Sequence, residues 1–181
     1  MSTTTESEFT PTSKRGTALL REVLAVIETE LKTEYADLVS GHEQHGGRWD
    51  QRDWGSVRVS QAVRDAAVET YMGAAWQAVP AAVVLKECGT TACVAGHASL
   101  LVGDRPVIES VTLDDSPGVV VSWALVLPVD GADEATMVED RARELLGLTE
   151  DEAAQLFEGA NSIDDVRMLI GNMLNRRGVV L

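Results

Sequence analysis

The sequence predicts a mainly helical α+β domain with one β-hairpin at about residues 107–127. Apolar residues recur every three or four positions from Thr17 to Leu38, which is the spacing of one face of a helix. Two β-branched runs flank a turn-forming cluster at residues 114–118, and this arrangement is typical of a hairpin. Capping residues precede short apolar segments in the last third of the chain, which indicates a C-terminal cluster of short helices.

The length and composition are those of an ordinary globular protein. With 181 residues, 45% of them hydrophobic, the chain can bury a core without disulfides or a structural metal. Residues 1–13 are rich in Ser and Thr and are predicted to form a disordered tail, so residues 14–181 are expected to form a single globular domain. No signal peptide or membrane-spanning run is evident. We therefore expect a cytoplasmic protein that does not enter a membrane.

The first half of the chain is predicted to contain two helices around an aromatic loop. The helix of residues 17–38 is amphipathic, whereas residues 41–55 combine glycines, two histidines and two tryptophans without periodicity, as a loop does. Ser60 is the expected N-cap of a second helix that ends near Trp76. The apolar stretch at residues 80–86 fits a short helix or a buried strand equally well.

The second half is predicted to place a nearly uncharged helix in the centre of the fold. Thr90 or Thr91 can cap this helix, which continues to Gly103. The predicted hairpin follows this helix, with Trp123 on one of its faces.

Three helices are predicted in the last third, at residues 135–146, 150–157 and 163–176. Gly147 is expected to end the first helix, and Thr149 and Ser162 are expected to cap the other two. The last two helices have the order of a helix-turn-helix. However, they carry Glu and Asp where a recognition helix presents basic or amide side chains to bases.

The chain carries a strong negative charge that is concentrated in its second half. Fifteen Lys and Arg oppose 29 Asp and Glu, which gives a net charge of −14. Residues 88–181 hold 6 of the basic residues and 16 of the acidic ones. Such a field repels nucleic acid, and no basic cluster longer than Arg176-Arg177 offsets it. We expect no direct nucleic-acid binding, and interpret the charge as a source of solubility or of attraction to a basic partner protein.

Both cysteines and one of the three histidines fall within residues 88–98, which we call the Cys–His segment. In a helix, Cys93 and His97 would lie on one face, one turn apart. In a zinc site, Cys88 would join them as a third ligand. The candidates for a fourth ligand are an acidic side chain or one of two further histidines, His42 and His45.

Two other interpretations of the Cys–His segment are open. In a cysteine-dependent enzyme, Cys93 or Cys88 would be the nucleophile, stabilised by the helix start, and His97 would be the base. In a packing element, the many small residues let another backbone approach closely, and a buried cysteine acts as a small apolar side chain. Packing is the preferred interpretation, because no Asp or Asn that would orient His97 is identifiable and the spacing matches no familiar zinc finger. No cofactor is implied.

Trp49 and Trp54 are the candidate interaction residues of the aromatic loop. Tryptophan is enriched at the energetic centres of interfaces, so the two could form an exposed recognition patch. Alternatively, they cover the helix of small residues that follows Thr91. We prefer the second interpretation.

Three separated segments resemble a set of uncharacterised small proteins from actinobacteria and their phages. The shared pattern is W-x-Q, then C-G-T-x-x-C-x-A-G, then L-G-L-x-x-x-E-A-x-x-L-F, which falls here within residues 49–54 and 88–157. This chain differs by the long segment Gly55–Glu87 and by His97, where an aromatic residue is more common. This difference argues against a metal ligand or a base at that position. The resemblance implies a related fold and the cytoplasm of an actinobacterial cell, during phage infection, as the setting.

These observations predict a non-enzymatic, acidic binding or accessory protein. The resemblance implies no reaction, and an acidic phage-encoded protein most simply acts by binding a host protein. The alternatives are a cysteine-dependent enzyme and a structural zinc site, both built on the Cys–His segment.

Overall fold

Helices dominate the structure, a computed structural model that describes residues 10–40, 48–59, 90–108, 110–113, 119–131 and 133–179. The helices of these residues are α1 (Gly16–Ser40), α2 (Val94–Leu101), α3 (Val138–Leu146), α4 (Glu150–Leu156) and α5 (Ile163–Arg176). The predicted α+β class is confirmed. The helix expected at residues 60–76 and the apolar stretch at residues 80–86 lie outside the described residues. Within the described part of the chain, no helix has the length and apolar character needed to cross a bilayer.

The strands form two small sheets. They are β1 (Arg48–Trp49), β2 (Ser56–Val59), β3 (Thr90–Ala92), β4 (Arg105–Val107), β5 (Ser110–Leu113), β6 (Val119–Ser122), β7 (Leu125–Leu127) and β8 (Thr136–Met137). One sheet has the order β1-β3-β2-β6-β5 and the other the order β4-β7-β8. β1 and β3 are parallel, and the other described pairs are antiparallel. The strands outside the hairpin have only two to four residues, too few to give a periodic pattern in sequence.

The predicted hairpin is confirmed, and it contributes a pair of strands to each sheet. β5 pairs with β6, and β4 pairs with β7 in the same register, so that Leu113 faces Val119 and Arg105 faces Leu127. The ladder is interrupted at Trp123, whose backbone N–H donates to the carbonyl of Gly55 at 3.0 Å. Any Cβ at Gly55 would overlap the buried Trp123 indole. Gly55 is therefore required where the aromatic loop crosses the hairpin.

The prediction that Thr90 or Thr91 caps α2 is wrong. Both threonines belong to β3, whose backbone pairs with β1 and β2. Cys93 is the N-cap residue instead, with an extended backbone (φ −78°, ψ −178°). Its N–H donates to the carbonyl of Asp53 at 2.7 Å, which directs the chain from strand into helix. The prediction failed because threonine is favoured in β-strands as well as at helix N-caps, so its presence before a helix does not identify the capping residue.

α2 is the central helix, as its lack of charge predicted. Every residue from Val94 to Leu100 is buried, and α2 contacts both α1 and α3. On α1, the side chains that face this core include Leu20, Val23 and Ile27, each fully buried. Burial of such side chains contributes about 1.5–3 kcal/mol each, so the contact of α1 with α2 is a main source of stability.

The residues before α1 also contact α2. The N–H of Thr12 donates to the carbonyl of Leu101 at 2.8 Å, and a Cβ at Gly103 would lie within 3.1 Å of Pro11. Residues 1–9 of the predicted tail lie outside the described residues.

The capping predictions for the last three helices are confirmed. Gly147 ends α3 in the left-handed conformation (φ 61°), which glycine adopts without strain. Thr149 and Ser162 each form a complete capping box at the start of α4 and α5. α3 begins at Val138 rather than at residue 135, because Thr136–Met137 pairs with β7 as β8.

Candidate functional site

The structure describes two members of the Cys–His segment, Cys93 and His97. Cys93 is the N-cap residue of α2 and His97 lies one turn further along, and both are buried, with 1% and 4% of their surface exposed. Cys88, His42 and His45 lie outside the described residues. Among the described residues, no three or more His, Cys, Asp or Glu side chains are arranged to hold a metal ion.

The Cys93 thiol has the environment of a packed side chain. Burial raises the pKa of Cys93 to about 11 from 9.0, and the negative charge of Asp53 acts in the same direction. The backbone amides of Ala95 and Gly96, at the start of α2, act in the opposite direction but are outweighed. The thiol is therefore protonated at neutral pH, whereas a nucleophilic cysteine needs a lowered pKa.

Both ring nitrogens of His97 are engaged by acceptors. Nδ1 lies 2.9 Å from the carbonyl oxygen of Cys93, and Nε2 lies 2.9 Å from Oε2 of Glu30 on α1. A carbonyl and a carboxylate only accept hydrogen bonds, so both contacts are satisfied when the ring carries two protons. His97 is then a buried imidazolium that joins α2 to α1.

The pKa of His97 supports this assignment. Burial disfavours the charged ring, but the hydrogen bond and charge of Glu30 and the carbonyls of Cys93 and Ala92 outweigh it. The pKa of His97 is consequently raised above 6.5. In this geometry the imidazole has no nitrogen left to accept a proton from the Cys93 thiol.

The ion pair of His97 and Glu30 makes stability depend on pH. An unfolded histidine titrates near pH 6.5, and the folded-state pKa is higher, so the folded protein keeps a proton that the unfolded chain loses. The pair therefore stabilises fully below about pH 6.5, and this contribution is lost as pH rises through the folded pKa. Urea denaturation of wild type and Glu30→Gln between pH 5 and 9 should show the largest difference at low pH.

Glu28→Gln is the matched control for this pH series. Glu28 lies on the same helix and pairs with Arg167 at 2.9 Å on the surface, and this pair contains no histidine, the side chain whose charge ordinarily changes between pH 5 and 8. Its effect should be constant over the range. A difference between wild type and Glu30→Gln that grows with pH would contradict the charged-pair assignment.

A buried Cys93 thiol should react slowly with alkylating reagents. Cys88→Ser leaves Cys93 as the sole cysteine of the chain. A rise in pKa from 9.0 to about 11 reduces the thiolate fraction about 100-fold. Iodoacetamide at neutral pH should accordingly label this native variant at least about 100-fold more slowly than the same variant in urea. Labelling faster than that of free cysteine would instead identify an activated nucleophile.

Gln51 connects three parts of the chain that are far apart in sequence. Its side chain is buried, and its Nε2 donates to the carbonyl of Leu156 at the end of α4, at 2.7 Å. Its Oε1 accepts from the N–H of Val94, in the first turn of α2, at 3.4 Å. The W-x-Q, C-x-A-G and L-F segments of this chain thus meet at this one amide. Sequence reasoning missed this role because Gln51 lies in an aperiodic loop.

The described part of the aromatic loop, residues 48–55, lies against the start of α2. Trp49 and Trp54 are half-buried and pack against the core. A Cβ at Gly96 would overlap the carbonyl oxygen of Trp54, so only glycine permits this approach. This placement supports the interpretation that the two tryptophans cover the small-residue helix.

The chain has no match among known families. Neither a family model, nor a curated protein, nor a solved structure matches it. Its function has to be inferred from its own geometry and charge.

A second buried polar network joins the end of α2 to α3. Asp104 is fully buried, and its two carboxylate oxygens accept from Nε and Nη2 of Arg141 at 2.8 and 3.2 Å. Arg141 also donates to Asp130 at 2.8 Å, and Asp104 accepts from the N–H of Val129 at 2.9 Å. Burial disfavours the guanidinium charge, but the two carboxylates outweigh it and raise the pKa of Arg141. The network holds the loop after β7 in place.

The loop held by this network forms an exposed acidic surface. We define the acidic surface as the described exposed residues of 129–140: Val129, Asp130, Gly131, Asp133, Glu134, Ala135, Met137, Glu139 and Asp140. Val129 and Met137 are 53% and 43% exposed. In the described part of the chain, Asp133, Glu134 and Glu139 form no ion pair. Sequence reasoning identified the charge of this half of the chain but not this surface.

Proposed function

We propose that this protein is a non-enzymatic binding protein that engages a basic region of another protein through the acidic surface. The observation that carries the proposal is that two exposed apolar side chains, Val129 and Met137, lie within a run of carboxylates, three of which form no ion pair in the described part of the chain. Interfaces commonly combine an apolar centre with a polar rim. Carboxylates around such a centre select a partner with lysines and arginines and speed its approach.

The buried network of Asp104 and Arg141 supports this role because it fixes the shape of the surface. Asp104 holds the backbone of Val129, and Arg141 holds the side chain of Asp130. A surface that is already ordered loses less conformational entropy when a partner binds. The same carboxylates repel phosphate groups, which disfavours nucleic acid as the partner.

The environments of Cys93 and His97 favour binding over catalysis. The thiol is buried and protonated, and both nitrogens of the imidazole have partners within the fold. The resemblance to proteins of actinobacteria and their phages suggests a host protein in the cytoplasm of such a cell as the partner.

Capture from an actinobacterial extract tests this proposal when wild type is compared with matched variants. The test variant is Asp133→Asn with Glu134→Gln, in the acidic surface. The control is Glu150→Gln with Asp151→Asn, which removes the same charge from exposed positions in the first turn of α4. Wild type and control should retain the same basic protein, and the retention should weaken with added salt.

The test variant should lose most of that protein while keeping the melting temperature of wild type. Equal capture by the test variant and the control would contradict a role for the acidic surface. Failure of wild type to retain any protein above an inert acidic protein would contradict the proposed function itself.

A further inference from the structure

We infer that the groove between α4 and α5 is a docking site for a basic amphipathic helix of the partner protein. This inference rests on the proposed function, and it identifies a second surface through which this protein would bind the same partner. The groove has a volume of about 410 Å³ and is lined by residues of both helices and of the turn between them. It lies apart from the acidic surface in sequence, because that surface ends at Asp140 and the first residue lining the groove is Ala154.

The walls of the groove are held by hydrogen bonds within the fold. Asn161, in the turn, donates from Nδ2 to the carbonyls of Gln155 and Leu156 at 2.8 and 3.3 Å. Asp165, at the start of α5, accepts from the N–H and the hydroxyl of Ser162 at 2.9 and 2.6 Å. The groove therefore exists before any partner arrives, which lowers the entropic cost of binding.

Apolar side chains form part of the groove, and one of them is unusually exposed. Met168 is 56% exposed, the highest value among the large hydrophobic side chains of the described residues. Leu169 is half-buried beside it, and the small side chain of Ala154 leaves space on the opposite helix. Methionine is flexible and polarisable, so it adapts to the apolar face of a bound helix.

The charge of the groove determines which helix fits. Glu158 and Asp165 contribute carboxylates to its lining, and none of the described lining residues is basic. Arg167, the cation on α5 next to Met168, is already paired with Glu28 and Asp164, each at 2.9 Å. A helix with an apolar stripe and lysines or arginines beside it complements this lining, whereas a phosphate-bearing ligand would be repelled.

Fluorescence anisotropy with a designed peptide tests the inference. The probe is a labelled amphipathic peptide of Leu, Ala and Lys with the 14-residue length of α5 and with leucines at helical spacing. A scrambled peptide of the same composition controls for charge alone. The groove variants are Met168→Ala and Glu158→Lys, and their controls, at positions outside both the groove and the acidic surface, are Thr33→Ala and Glu144→Lys, all at exposed positions.

The inference predicts that the amphipathic peptide binds at least about tenfold more tightly than the scrambled one. It also predicts that each groove variant weakens binding by about tenfold and that each control leaves it within about twofold. Weakening by Met137→Ala and Glu134→Lys in the acidic surface, with no weakening by the groove variants, would overturn the groove inference and leave the proposed function standing. Equal binding of the two peptides would also overturn it, and the capture experiment would then decide the proposed function separately.

A second copy of this chain is the other candidate occupant of the groove. Sedimentation of the wild type at increasing concentration detects such self-association. A dimer that forms with concentration and that Met168→Ala dissociates would overturn the inference. A monomer over the whole range supports the inference, because the groove then stays open for a partner.

Discussion

Replacement of Asp104 by alanine is expected to lower the free energy of unfolding by about 3–5 kcal/mol. Asp104 is fully buried and accepts two hydrogen bonds from Arg141 and one from the backbone of Val129. Without this carboxylate, the carboxylate partners that the buried guanidinium keeps among the described residues are Asp130 and Glu144, which are both exposed. A buried charge that loses its main partner is strongly destabilising. Urea denaturation, with the slope compared between variants, measures the effect.

A surface ion pair is the control for this prediction. Arg167 forms ion pairs with Glu28 and Asp164 but is itself 43% exposed, so Arg167→Ala should cost less than about 1 kcal/mol. The double variant Asp104→Ala with Arg141→Met should cost less than the sum of the two single variants, because it leaves no unpaired guanidinium. A cost for Asp104→Ala as small as that of Arg167→Ala would contradict the structural role of the network.

Gly96→Ala is expected to destabilise the protein by about 2–3 kcal/mol. A Cβ at Gly96 would overlap the carbonyl oxygen of Trp54 and would also lie 2.9 Å from the Cβ of Ala92. The aromatic loop would have to move away from α2, and the hydrogen bonds of Gln51 to Val94 and Leu156 would be disturbed with it. Thermal denaturation followed by tryptophan fluorescence reports the stability, and comparison of Gly96→Ala with and without Trp54→Phe assigns any change in the native-state signal to Trp54.

The sign of the change in unfolding free energy caused by Gly96→Ala depends on whether the loop contacts α2 at this position. In a helix without a close neighbour, replacing glycine by alanine stabilises by about 1 kcal/mol. A stabilised Gly96→Ala variant with unchanged tryptophan fluorescence would therefore contradict the close approach of the loop to α2.

Local signals in the sequence predicted the elements that depend on local interactions. The apolar residues of α1 repeat along a single helix, and the capping boxes at Thr149 and Ser162 each join residues three positions apart. Both patterns can therefore be recognised from the sequence before the fold is known. The strand at Thr90–Ala92 was missed because its hydrogen bonds come from residues 48–49 and 56–57. Pairing of such distant residues leaves no pattern in a segment of three.

The site was harder to predict, because its polar residues act across the fold. One usable signal was present: Arg141 lies on the same face of α3 as the buried Val138, Ala142 and Leu145. A charged residue on an apolar face indicates a buried partner. Nothing in the sequence marks Asp104 as that partner, and nothing marks Gln51 as the link between α2 and α4, since both lie outside periodic segments.

The contacts of Gln51 give a physical reason why three distant segments of this chain pack together. The W-x-Q segment provides the amide, the C-x-A-G segment provides the N–H of Val94 and the approach at Gly96, and the L-F segment provides the carbonyl of Leu156. Cys93 precedes Val94 at this junction, and both Cys93 and His97 belong to the packed core and do not form a catalytic pair.

NMR titration of His97 in wild type, Glu30→Gln and Cys93→Ala tests this claim most directly. Since Glu30 supplies the hydrogen bond and charge that raise the pKa of His97, Glu30→Gln should lower that pKa. Cys93→Ala retains the backbone carbonyl that Nδ1 contacts and should leave the pKa unchanged. A His97 pKa that falls in Cys93→Ala and is unaffected by Glu30→Gln would show a thiolate–imidazolium pair and contradict the account.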